Sequence, residues 1–203
     1  MTFDPARLEG REPYHLGTSL VVPRPIAWVS TVSSDGVHNL APHSYFNMMS
    51  SKPLIVHFTS TGVKDTLRNC RETGEFVVNL VSRSFAEKMN LTAADFPADI
   101  SEFDWASLEQ VPSEKVAPPR VDGVAAAMEC RVEDIISKGN GNMVFGEVVA
   151  IHVSEEVWRN GRVDPRLYDP IGRMGGSTYT RAAAELFDLR RPTYDELAGG
   201  SAR

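Results

Sequence analysis

The chain has 203 residues, 42% hydrophobic, 24% charged and 8% aromatic, the proportions of an ordinary globular protein rather than a disordered one. Such a length buries roughly 70% of its unfolded surface, so a single domain over residues 1–203 is expected, with no need of disulfides or a structural metal. Lys+Arg 21 against Asp+Glu 27 leaves a formal charge of -6 without any basic run; nucleic-acid binding, which needs a concentrated cationic surface, is therefore disfavoured.

Cys70 and Cys130 stand far apart in apolar patterns and are expected as buried small hydrophobes, not as a disulfide or zinc pair. No apolar run approaches the ~20 residues of a membrane helix. The start, Met1-Thr2-Phe3-Asp4-Pro5-Ala6-Arg7, has no basic segment leading into an apolar one. The expectation is a cytoplasmic protein without membrane association.

In chain order, the β-branched and aromatic run Pro25 to Val32 meets Ser33-Ser34-Asp35-Gly36 and resumes at Val37 to Ala41, which predicts a hairpin turning on Asp-Gly. Pro42 cannot donate to a ladder, so an interruption and a bend or sheet edge are expected from there through His43 to Asn47. Pro53 to Phe58 and Glu75 to Val81 read as strands. Between them Val63, Leu67 and Cys70 recur at helical spacing, with Ser60-Thr61-Gly62 before and Gly74 after.

Phe85 to Leu91 predicts a helix, whereas Thr92 to Pro119 reads as an irregular excursion, long enough to be functional or interfacial. Met128, Cys130 and Val132 alternate with Glu129, Arg131 and Glu133, predicting a strand with one wet face. A turn at Gly139 to Asn142 leads into an apolar strand, Met143 to Val153. Strands joined by hairpins with one helix between predict an antiparallel barrel closed on itself. A helix at Arg181 to Leu189 and a frayed tail from Gly199 to Arg203 complete the expectation.

No P-loop, GxGxxG, HExxH or GxSxG is present, which removes the common nucleotide-triphosphate and triad-hydrolase chemistries. The histidines His15, His38, His43, His57 and His152 lack the helical spacing of a metal pair, and no metal site is expected. The segment Ser60 to Asn69 is the most specific chemistry. Hydroxyls and a glycine precede a helix, and Lys64 lies in its first turn, so backbone N–H groups, dipole and ammonium can converge on one anion. The competing reading is a plain N-cap followed by a solvated face of Lys64, Arg68 and Arg71.

Pro23-Arg24-Pro25-Ile26-Ala27-Trp28-Val29-Ser30-Thr31, Asp35-Gly36, Asn39 to Asn47, Lys64-Asp65-Thr66 and Gly146 to His152 follow one another in an order that resembles the flavin reductase-like family of FMN-binding split barrels, over roughly Gly17 to Thr180. The resemblance implies a mainly β fold with peripheral helices, a six-stranded Greek-key split barrel, a homodimer, and FMN near the dimer interface. It implies that Ser30, Thr31, Asn39, Ala41, Pro42, Ser44, Tyr45, Asn47, Ser60, Thr61, Lys64 and Thr66 line the flavin site. Gly175, Gly176 and Tyr179 resemble the family's Gly-Gly-x-x-Tyr segment, with a flavin cover or a plain turn as the two readings. His43 departs from the aromatic or small residue of many relatives. His152 is placed near the nicotinamide-facing side of the flavin, with a cross-strand hydrogen bond as the equal alternative.

The implied activity is that of an oxidoreductase taking hydride from NAD(P)H onto FMN and passing electrons to a flavin-dependent oxygenase or a small acceptor. The alternatives are an FMN flavoprotein reducing a dedicated substrate and a non-catalytic flavin carrier. FMN is expected over FAD, because a single terminal-phosphate site is read and no adenylate motif. Phe96, Phe103 and Trp105 in the excursion are expected either as apolar groups that a second copy covers or as a satellite core of the same subunit.

Overall fold

In the computed structural model, which describes residues 1–199, the apolar runs build seven strands of one antiparallel sheet. These are β1 Ala27–Val32, β2 His38–His43, β3 Phe46–Ser51, β4 Leu54–Thr61, β5 Glu75–Leu80, β6 Ala126–Lys138 and β7 Gly141–Val153, in the spatial order β2-β1-β5-β6-β7-β4-β3. The hairpin from β1 to β2 turns where Gly36 takes φ +84°, and the one from β6 to β7 where Gly139 takes φ +57°, as Gly in these tight turns allows. Helices α1 Glu12–Leu20, α2 Asp65–Thr73, α3 Ala86–Leu91 and α4 Glu102–Trp105 lie outside the strands.

The sheet curls until its two edges, β2 and β3, are linked by just Ser44 and Tyr45. They do not pair as a ladder. Thr59 N–H donates to the Tyr45 carbonyl at 2.8 Å at this corner. The barrel is thus split, not closed as the hairpin pattern predicts, and its large sheet has seven strands where the family resemblance implies six. Pro42 does not interrupt β2: it sits opposite Trp28 inside the strand, because an edge strand has one side on which a missing N–H costs no ladder bond. The expected bend is confined to the corner, and Phe46 onward is a further strand.

Two cores flank β1, whose side chains alternate between them. Ala27 and Val29 pack with Phe58, Leu67, Phe76 and both cysteines inside the curl. Trp28 packs on the other side with Leu40, Met89, Phe103 and Ile171, its indole N–H donating to Thr92 Oγ1 at 2.8 Å. Helix α2 presents Leu67 and Cys70 to the inner core and ends at Gly74, whose φ of +71° supplies the left-handed cap. Cys70 and Cys130 are free and buried, and burial pushes the Cys70 thiol up to about 12.

The excursion after α3 is more ordered than its composition predicts. It carries α4, and Gln110–Val111 pairs with Arg120–Val121. It also covers Glu129, which is fully buried instead of lying on a wet face. Arg24–Pro25, Ile171–Arg173 and Tyr179–Arg181 form a small second sheet, so the helix expected from Arg181 starts as a strand and no helix spans 181–189. Residues 200–203 of the expected tail lie outside the described residues. No helix of the described residues is long and apolar enough to cross a membrane.

Candidate functional site

Where the split corner meets the start of α2, a cavity of about 400 Å³ opens, within the range of small-molecule sites. Four pieces of chain build most of it, and Tyr14 of α1 and Glu102 of α4 complete the lining. The end of β2 contributes Asn39, Ala41, Pro42 and His43, and the corner contributes Ser44 and Tyr45. The end of β4 brings Ser60 and Thr61, α2 brings Lys64, Asp65 and Thr66, and the loop after α3 supplies Thr92 to Phe96. Nine of the residues expected to hold flavin are therefore gathered here: Asn39, Ala41, Pro42, Ser44, Tyr45, Ser60, Thr61, Lys64 and Thr66.

The end of α2 facing the cavity is electrostatically open. Lys64 is the N-cap residue, not a first-turn residue as the sequence pattern predicts, and no side chain caps the helix. The first bond of the helical ladder is Arg68 N–H donating to the carbonyl of the N-cap residue Lys64, 3.0 Å. The N–H groups of Asp65, Thr66 and Leu67 thus point off the helix end, where the macrodipole favours an anion. Two acids temper this. Asp65 pairs with Arg68 at 2.5 Å and Asp95 with Lys64 at 2.7 Å, so an incoming anion competes with Asp95 for the ammonium.

The floor is a buried polar network that sequence reasoning missed. Glu102 accepts from Asn39 Nδ2 at 2.9 Å and from Leu40 N–H at 2.8 Å, and Thr66 Oγ1 donates to Asn39 Oδ1 at 3.3 Å. Burial raises the Glu102 carboxyl above the usual carboxylate range despite these donors. Glu102 has no local motif; its place comes from the packing of α4 on β2. His43 is held neutral, pushed down to about 4 by burial, with a smaller push from the Lys64 charge, against a hydrogen bond with Thr59. Its Nε2 is buried without a partner.

The remaining expected residues lie elsewhere. Ser30 and Thr31 are fully buried, and their hydroxyls are used within the subunit: Ser30 Oγ donates to the Pro119 carbonyl at 2.5 Å, and Asn69 Nδ2 donates to Thr31 Oγ1 at 3.0 Å. They sit behind the cavity wall and do not line it. Asn47 is exposed on β3 and accepts from Met48 N–H. Gly175 and Gly176 form the turn beside α1, where a Cβ on Gly175 would meet Ser19 Cβ at 3.3 Å. Tyr179 lines a separate cavity with Arg173.

His152 is also outside the cavity. Its Nε2 lies 2.6 Å from Glu129 Oε1, a contact across adjacent strands, as in the alternative reading of this residue. Glu129 in addition accepts from Glu114 N–H at 2.8 Å and Lys115 N–H at 2.6 Å. Burial alone would raise its pKa; these donors and His152 outweigh it and hold the carboxyl below the usual range. Among the described residues no group of three or more His, Cys, Asp or Glu side chains is placed to hold a metal ion.

Comparison with known proteins accords with this architecture. Among curated proteins, one of Aquifex aeolicus is 37% identical over 191 residues, 91% of this chain and 97% of its own. Nitrilotriacetate monooxygenase component B from Bacillus cereus superposes with a TM-score of 0.89 at 34% identity, covering 93% of this chain and 98% of the other. Pseudomonas fluorescens 2-nitrobenzoate 2-nitroreductase gives 0.88 at 36%, covering 96% and 98%. The model of the flavin reductase like domain matches residues 19–172, a span that holds all seven large-sheet strands and the whole cavity apart from Tyr14, and the chain belongs to that family.

Proposed function

We propose that the protein is an FMN-binding oxidoreductase that draws electrons from NAD(P)H. The carrying observation is the cavity at the split corner, where an uncapped nine-residue helix and Lys64 face the same space as the outer edge of β2 around Pro42 and the Ser44-Tyr45 corner. The donor set fits FMN: N–H groups and an ammonium for one terminal phosphate, and hydroxyls and unpaired edge backbone for a polar ring edge. Bound FMN would accept an electron pair from the nicotinamide and release it to an acceptor. The chain's own part is to hold the phosphate at α2, to keep the Asn39–Thr66–Glu102 floor rigid beneath the ligand, and to leave one face of the cavity open.

Relatives support an electron-delivering role. One similar structure is a component of a monooxygenase and another a nitroreductase, so the acceptor is proposed as either the reduced-flavin-requiring partner oxygenase or a small electron acceptor. A homodimer is part of the proposal. Phe103 is taken up by the subunit's own core, which leaves the exposed Trp105 and the exposed Met48 and Met49 of edge strand β3 as apolar surface for a second copy to cover.

The test is anaerobic titration of the purified protein with NADH and with NADPH, with and without added FMN, followed by flavin bleaching. Stoichiometric bleaching of bound FMN supports the proposal. Failure to bind FMN, or binding with no bleaching by either nucleotide, would count against it.

A further inference from the structure

A second cavity, about 420 Å³, is bounded by α3 and the hairpin of the small second sheet and is unlike the first in charge. Arg83, Arg173 and Arg181 line it together with Asn90, Ser177 and Tyr179, and Glu87 is its one acidic side chain. Three guanidinium groups thus line one cavity, Arg173 and Arg181 from the two strands of one hairpin and Arg83 from the segment before α3, on a molecule whose formal charge is -6. Two of the three are offset by carboxylates, which leaves Arg173 as the cation that an incoming anion would meet without a competing acid.

Each arginine is held in position. Arg181 is gripped by Asp169 in a two-point fork, 3.0 and 2.9 Å, and Arg83 by Glu87 at 2.8 Å. Arg173 has no carboxylate partner among the described residues. Its guanidinium lies 4.5 Å over the Tyr179 ring, donates to Tyr179 Oη, and donates to the Gly176 carbonyl at 2.5 Å. Pairs as exposed as Arg83–Glu87 contribute little and exchange readily for a stronger acceptor, and a planar fork matches a phosphate better than a lone carboxylate oxygen does.

The two cavities adjoin. Asn90 at the end of α3 lines the arginine cavity, and Thr92, two residues on, lines the cavity at the split corner. Arg24 links the corner to the hairpin that carries Arg173, donating to Ser44 Oγ at 3.4 Å and to the carbonyl of Met174, the residue after Arg173, at 2.9 Å. The segment Asn90 to Thr92 thus passes from the wall of one cavity to the wall of the other.

We propose that the arginine cavity is an anion subsite for the phosphate monoester of a nucleotide, distinct from the phosphate position at α2. That the nucleotide is the electron donor rests on the function proposed above; the phosphate chemistry does not.

The experiment is isothermal titration of the protein, flavin-free and FMN-loaded, with adenosine 2′-monophosphate, adenosine 5′-monophosphate, adenosine and inorganic phosphate at fixed ionic strength. At least one monophosphate should bind tenfold or more tighter than adenosine and than inorganic phosphate. Arg83→Gln and Arg173→Gln should each weaken it about tenfold while the FMN dissociation constant stays within twofold. Preference for the 2′-phosphate assigns the site to NADPH, and preference for the 5′-phosphate to a mononucleotide end. Equal binding of adenosine and its monophosphates, phosphate binding as tight as the nucleotides, or no response to Arg83→Gln overturns the proposal. Arg83 is exposed and ends no buried network, so this variant remains informative should Arg173→Gln unfold. Failure of the flavin reading would show separately, as no FMN uptake by a protein that still binds the monophosphate.

Discussion

At the scale of single residues, Lys64 separates an anion site from an ordinary helix end. If it binds phosphate, Lys64→Ala removes a charge-assisted bond worth on the order of 1.5–3 kcal/mol and weakens FMN roughly ten- to a hundredfold, while riboflavin, which lacks the phosphate, binds both forms alike. Because Asp95 occupies the ammonium at 2.7 Å, Asp95→Asn should act in the opposite sense and tighten FMN by up to about fivefold. Fluorescence quenching titrations with the two flavins read both effects. His43 makes a pH prediction. Its imidazole stays neutral in the fold down to about 4, whereas in the unfolded chain it protonates near 6.5. The unfolded state binds the extra proton, so stability is complete above pH ~6.5 and falls progressively towards pH 4. His57, also lowered by burial, adds to the same loss. Thermal melts between pH 7 and 4 should show a shallower decline for His43→Phe; an unchanged slope would remove His43 as a cause.

At the scale of elements, strands with alternating or continuous apolar runs were legible, and so was α2 from Leu67, Cys70 and its capping Gly74, although Val63, the first residue of that spacing, is exposed and precedes the N-cap. What was not legible depended on partners distant in sequence. His43 to Asn47 reads as a bend because Pro42 precedes it, yet Phe46–Ser51 is a strand whose ladder β4 alongside completes. Glu129 reads as a solvent-facing residue by period, and is instead capped by backbone from a segment with no pattern of its own. Glu129→Gln replaces an acceptor oxygen by a donor facing these N–H groups. It should cost about 1–3 kcal/mol in urea unfolding and expose residues 112–118 to limited proteolysis. Gly146 on β7 shows how tightly β5, β6 and β7 pack. A Cβ there would run into the Phe76 ring and lie 3.0 Å from Cys130 Cβ. Gly146→Ala should therefore lose about 1–3 kcal/mol through overpacking, more than an alanine at the open Gly74 cap costs in packing.

At the scale of the whole molecule, the split decides where chemistry is possible. Nine of the residues that the family resemblance implies line the cavity; of these only Pro42 and the α2 start carry a local signal of their own. Ser30 and Thr31 were misplaced because nothing local says which strand end is roofed by Pro119. Light scattering at micromolar concentration should give twice the mass of one chain, and Met48→Asp with Met49→Asp should shift it to one if β3 carries the contact. The seating of β7 between β6 and β4 bears on how the molecule is made. Ile55 waits for Glu147 and Thr61 for Gly141, so during synthesis β4 has a hydrogen-bonding neighbour on one side alone until the chain has grown past residue 147. Closing so distant a pairing is slow. A stalled or shortened product would therefore display an unsatisfied strand edge beside Phe58 and Val56, a template for self-association, and the time the ribosome spends between residues 61 and 147 sets how long that hazard lasts.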